Sequence, residues 1–166
     1  PYPRWRFGNP LREFNFSYIQ AINGEIMPNI VNSSFTTSHP YVLVAGCGTG
    51  SQILHSQIYQ NAQITGIDLS SSSLCYSQRK INELGIKNVD LIEMDLLDVS
   101  LLGRQFDIIL CSGVLHHMNH PEEGLKALLS VLKPNGFIKL GLYSELARKI
   151  IVKAKEDIKN SHFKVD

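Results

Sequence analysis

A short apolar run, Tyr41–Ala45 (YVLVA), passes without a break into Gly46-Cys47-Gly48-Thr49-Gly50. Three glycines in five residues directly behind a strand-like run constrain the fold more than any other stretch. Glycine admits backbone angles that other residues avoid, and it lets a ligand lie directly against the main chain. A strand ending in such a turn and leading into a helix is the opening unit of an α/β fold with a parallel sheet.

The rest of the chain continues that pattern. Further short runs occur at 63–67 (QITGI), 89–94 (VDLIEM), 106–111 (FDIILC) and 136–142 (GFIKLGL). They are continuously apolar rather than alternating, as expected where helices cover both faces of a sheet. Helical stretches separate them. Residues 51–59 carry Ile53, Leu54 and Ile58 on one face, and residues 71–84 start in serines that can cap a helix and stop at Gly85. A third opens with Pro121, Glu122 and Glu123, presents Leu125, Leu128, Leu129 and Leu132 as one stripe, and is expected to stop at Lys133-Pro134-Asn135-Gly136. A last amphipathic helix is expected over 144–159, and another over 13–27. Five strands joined by right-handed crossovers predict a Rossmann-like, doubly wound parallel sheet. Residues 1–40, rich in Pro, Asn, Ser and aromatics, read as an N-terminal cap or linker; 41–160 form the domain and 161–166 a tail.

Charge and composition narrow the function. Lys plus Arg number 16 against 15 Asp plus Glu, a net charge of +1, which leaves no electrostatic footprint for a nucleic acid. The 43% hydrophobic content suffices for a core. No apolar run approaches the ~18 residues of a membrane span, and the start PYPRWRFGNP lacks the apolar stretch of a secretory signal. The expectation is a soluble, cytoplasmic protein with no membrane partner, here without its initiator methionine and therefore read as part of a longer chain. Its three cysteines match no zinc or redox spacing; Cys47 and Cys111, at the ends of neighbouring strands, are expected as free thiols.

In doubly wound sheets ligands bind at the carboxyl ends of the strands. The loops after Ala45, Ile67, Met94 and Cys111 are therefore the ones to inspect. The first has the spacing G-x-G-x-G, with Ser51 where a dinucleotide fingerprint has its third glycine, which opposes a nicotinamide or flavin cofactor. The second ends in Asp68, 20 residues past Gly48, where a carboxylate can accept both ribose hydroxyls. The alternative is that Asp68 only caps the serine-rich helix. The third holds Asp95 and Leu96, placed to read an adenine edge beside Met94 and Leu69; the alternative is that Asp95 caps the LLDVS turn.

VLVAGCGTG, ITGIDLS, IEMDLLD, FDIILCSGVLHHM and VLKPNGFIKLGLY, in this order, resemble the class I S-adenosylmethionine-dependent methyltransferases. More narrowly they resemble the small-molecule type built around GCGTG and a later LHH. The YPRW segment resembles methyltransferase domains that follow tetratricopeptide repeats in bacterial proteins. The resemblance implies that Gly46, Cys47, Gly48 and Gly50 line the methionine and ribose end of the cofactor. It implies that Asp68 holds the ribose hydroxyls, Leu69 packs on adenine, Asp95 and Leu96 read the adenine edge, and Ser112 lies beside the sulfonium with Cys111.

Two departures stand out. The family pattern VLDxGCGTG has an acid where this chain has Val44, so another group must hold the methionine ammonium. The family's two closing strands have no counterpart after Lys159, which implies a C-terminal truncation and an exposed fifth strand.

His116, His117 and His120 follow the fourth strand, and imidazole can take a proton near neutral pH. The resemblance selects His116 as the acceptor-facing one; the alternative is packing and capping at the helix start. No metal site is expected, because no carboxylate shares that cluster. Tyr2, Arg4, Trp5, Arg6 and Phe7 read either as a lid or as a linker packed on the surface. The functional expectation is methyl transfer from S-adenosylmethionine to a small-molecule or protein acceptor. The alternatives are a nicotinamide-dependent oxidoreductase domain and a non-catalytic S-adenosylmethionine-binding module.

Overall fold

The computed structural model describes residues 37–144 and 149–160. The expected helix at 13–27, the aromatic start at 2–7 and the 161–166 tail lie outside the described residues. Five strands, β1 (Tyr41–Ala45), β2 (Gln63–Asp68), β3 (Val89–Glu93), β4 (Phe106–Ser112) and β5 (Leu132–Gly141), form one sheet in the order β3-β2-β1-β4-β5. Every pairing is parallel. The order reverses between β1 and β4, so the carboxyl ends of those two strands flank the natural ligand crevice of the fold.

Alternate residues of β1 divide the core in two. Val42 and Val44 pack with Ile53, Ile64, Leu74 and Ile108 under helices α1 (Ser51–His55) and α2 (Ser71–Glu83). Leu43 and Ala45 pack with Val99, Ile109, Leu115 and Leu128 under helix α3 (Pro121–Ser130) and the 3-10 segment Leu96–Leu102. Both faces are covered, which is why the strands read as unbroken apolar runs. Among the described residues no helix is long and apolar enough to cross a membrane.

Two expected boundaries shift. The helix read as 51–59 is α-helical only to His55 and tightens to a 3-10 turn over Ser56–Ile58, where Ser56 Oγ donates back to the Gln52 carbonyl at 2.7 Å. Helix α3 ends at Ser130, so Leu132 leaves the helical stripe and opens β5. Lys133-Pro134-Asn135-Gly136 is consequently a bulge inside the strand: β4 skips from pairing Phe106 with Leu132 to pairing Ile108 with Phe137, and Asn135 takes φ 68°. The last helix, α4, is described over Lys149–Asn160, and residues 145–148 at its expected start lie outside the described residues. By contrast α2 follows its sequence signals closely. The Ser70 side chain caps it by accepting from the Ser73 amide, and Gly85 takes φ 69° just beyond its end.

Candidate functional site

A cavity of about 930 Å³ runs along the carboxyl ends of the strands. Its floor is the glycine loop. The amides of Gly46 and Cys47 both donate to the Ile67 carbonyl at 2.9 Å, which clamps the loop to the end of β2. Gly46 (φ 70°) has no room for a side chain, because a Cβ there would collide with Val114. Gly48 (φ 51°) is the opposite case: a Cβ would meet nothing within 4 Å, and the residue lines the cavity. One glycine is required by packing and the other leaves space for a ligand.

Asp68 ties the loop to β2 and still faces the opening. Its Oδ2 accepts from the Gly48 amide at 2.8 Å, and its Oδ1 accepts from the Ser70 amide at 2.9 Å. The cap of α2 is Ser70, so Asp68 is not spent on that role. A carboxylate offers about four acceptor positions, and two backbone amides leave the others for a ligand. Asp95 does act as a cap, its Oδ1 accepting from the Leu97 amide at 2.9 Å, yet it also lines the cavity beside buried Leu96. Asp95 therefore caps the turn and lines the cavity at once. Leu69 lines the same end with 69% of its surface exposed, an apolar contact that the fold itself does not use.

Cys47 contributes its backbone. Its side chain turns into the core with Ile53 and Val44, whereas Cys111 belongs to the core on the other face of the sheet. Both thiols are free. Burial, aided by the nearby Asp68 carboxylate, pushes the Cys47 thiol up to about 12, and burial pushes Cys111 up to about 11. Neither is a nucleophile at neutral pH, because the thiolate is the reactive form.

The cavity gathers Gly46, Cys47, Gly48, Asp68, Leu69, Asp95, Leu96 and Ser112 of the residues expected from sequence. Gly50 is not in its wall; it is the N-cap of α1, at φ 95°. His116 is not in the wall either. Its ring packs against Tyr143 (centroids 3.9 Å apart) and His117 (4.3 Å), and the histidines that line the cavity are His117 and His120. The cavity also includes residues that sequence reasoning passed over. Gln52 comes from α1, Glu123 from the first turn of α3, and Tyr143 from just past β5. The one signal available for Tyr143 was position, since it follows a fifth strand whose carboxyl end lies on the same side. Val44, where the family pattern has an acid, is fully buried in apolar surroundings.

Fold and site together define a Rossmann-like domain with a crevice suited to an adenosine-containing ligand. The model of the methyltransferase domain family matches residues 42–136. The chain belongs to that family, and its cofactor is S-adenosylmethionine. It is similar to an uncharacterized protein from Synechococcus (38% identical, covering 72% of this chain and 29% of that one). It is also similar to a ubiquinone biosynthesis O-methyltransferase from Bordetella bronchiseptica (30% identical, covering 76% and 52%). Among solved structures, PKMT2 from Rickettsia typhi in complex with AdoHcy is 26% identical with a TM-score of 0.64, covering 76% of this chain and 26% of that chain. The chain thus spans about half or less of these relatives' lengths.

Proposed function

We propose that the protein transfers a methyl group from S-adenosylmethionine to a small-molecule or protein acceptor, with the cofactor lying across the carboxyl ends of β3, β2, β1 and β4. The observation that carries this reading is the Asp68 carboxylate, held by two backbone amides and turned to the cavity with acceptor capacity left for two vicinal hydroxyls. Asp95 and Leu96 would read the adenine edge, Leu69 would cover the ring, and the open side of Gly48 would admit the chain leading to the sulfur. Ser112, at the end of β4, would lie beside that sulfur. Among the described residues the cavity wall holds three carboxylates, those of Asp68, Asp95 and Glu123, and neither lysine nor arginine. Such a wall favours a cationic ligand and opposes the pyrophosphate of a nicotinamide cofactor.

When bound, the cofactor supplies a methyl group already activated on a sulfonium. The chain's own residues orient the reactants, exclude water and receive a proton, which can supply much of the rate. His117 is the imidazole placed to receive it, beside the acceptor end of the cavity, while His116 supports that ring from behind. A small-molecule acceptor and a tetratricopeptide-repeat region upstream belong to the same reading, the first supported by GCGTG and LHH and the second by YPRW, and a cytoplasmic setting is proposed with them. The sequence on both sides of this chain tests the upstream part.

Isothermal titration tests the cofactor: S-adenosylmethionine and S-adenosylhomocysteine should bind and NAD should not. Turnover of a metabolite and protein panel then separates an enzyme from a non-catalytic binding module. With an acceptor in hand, His117→Asn should lower kcat by about 100-fold or more at unchanged cofactor affinity. A loss confined to His116 variants would return the role to His116.

A further inference from the structure

One polar group in the cavity wall is left incomplete by the fold. Gln52 lines the cavity from α1, and its Oε1 is shielded from solvent yet accepts no hydrogen bond from any of the described residues. The Gln52 backbone carbonyl is already engaged by Ser56 Oγ. Buried polar atoms are nearly always paired, and an orphan in a binding cavity points to the ligand that completes it.

Position says which part of the ligand that is. The cavity crosses the strand ends in sheet order, with Asp95 and Leu96 after β3, Asp68 ending β2, the glycine loop after β1 and Ser112 ending β4. With adenine at the β3 end and ribose at Asp68, the amino-acid end of the cofactor must pass over the glycine loop. Gln52 stands at the start of the helix that this loop opens into. That amino-acid end is a zwitterion. A primary amide carries an acceptor and two donors on one planar head, so a turn about its last torsion can offer oxygen to an ammonium and nitrogen to a carboxylate. The wall offers the carboxylate no lysine or arginine among the described residues, which leaves neutral donors to meet it.

We propose that the Gln52 amide receives the amino-acid end of S-adenosylmethionine, its Oε1 accepting from the α-ammonium group. The inference rests on the cofactor reading above. It also accounts for a first strand that carries buried Val44 rather than an acid, because the acceptor comes from α1 instead.

The test compares ligands that share the adenosine and differ in the amino acid. Wild type and the near-isosteric Gln52→Leu are titrated calorimetrically with S-adenosylhomocysteine and with 5′-methylthioadenosine, which lacks the amino acid. Gln52→Leu should lose about tenfold or more in affinity for S-adenosylhomocysteine and nothing for 5′-methylthioadenosine. A second measurement needs no variant: wild type should bind S-adenosylhomocysteine at least about tenfold more tightly than its deaminated analogue. Equal losses for both ligands would make Gln52 a support of the loop and overturn the assignment, as would no loss for either. A wild type that binds neither adenosine ligand would instead overturn the cofactor reading beneath it.

Discussion

The two ends of the sheet each hold an aspartate against the backbone, and they use it differently. At the amino end, Asp107 Oδ2 accepts from the Tyr41 amide and from Lys133 Nζ, both at 2.8 Å. The Arg104 guanidinium and the Lys133 ammonium both lie over the Tyr41 ring, 4.9 and 5.2 Å from its centroid. That carboxylate has a cation, and its work is to hold β1, β4 and the β5 bulge together. At the carboxyl end, Asp68 has two amides, no cation among the described residues, and an open cavity. A carboxylate neutralised by its own chain serves the fold. One that is anchored but not neutralised is available to a ligand.

The sharpest way to break this contrast is to fill the open end. Gly48→Val places a branched side chain where a Cβ meets nothing and where φ is positive. Calorimetry should detect no binding of S-adenosylhomocysteine, while circular dichroism still reports a folded domain. Normal binding would make the loop a structural turn and remove the adenosine site.

The two aspartates can then be exchanged as targets. Asp68→Ala should lower affinity for S-adenosylhomocysteine about tenfold or more, since a charged acceptor for buried hydroxyls contributes roughly 1.5–3 kcal/mol. Asp107→Ala should leave that affinity unchanged and lower stability by about 1–2 kcal/mol in urea unfolding. The figure is modest because the Lys133 ammonium is partly exposed and can be rehydrated. If both variants lost affinity equally, the division of labour between the two ends would be false.

How much of this was legible in the sequence follows the same divide between local and tertiary causes. The glycine loop, Asp68 and Asp95 were readable because a positive φ, a strand end and a cap are local demands on residue type. The sheet was readable because its strands are apolar on both faces. Leu132 was not, since helix and strand both want an apolar residue there, and the pairing of Phe106 with Leu132 decides between them. The resemblance selected His116, but residue type could not separate it from His117. In a 3-10 turn neighbours point about 120° apart, so one faces the cavity and one does not. Which is which depends on Tyr143, beyond β5. Gln52 shows its meaning only when the cavity and its missing hydrogen-bond partner are seen together.

The smallest effect tests how far the uncompensated charge of Asp68 reaches. Cys47 and Cys111 are both raised by burial, but only Cys47 also feels Asp68. In the folded state the thiols keep their protons while an unfolded chain releases them near pH 9. Stability from this source is therefore complete below about pH 9 and is lost as pH rises toward about 11 for Cys111 and about 12 for Cys47. The melting temperature should fall between pH 8 and pH 10.5, with each unit past pH 9 worth about 1.4 kcal/mol per thiol. Cys47→Ala should start lower but fall less steeply. Asp68→Asn should bring the Cys47 thiol down slightly, because it removes the charge that adds to burial there, whereas Asp107→Asn should not. A titration of thiolate absorbance in Cys111→Ala backgrounds reads this directly, and a Cys47 titration unchanged in Asp68→Asn would mean that burial alone holds its proton.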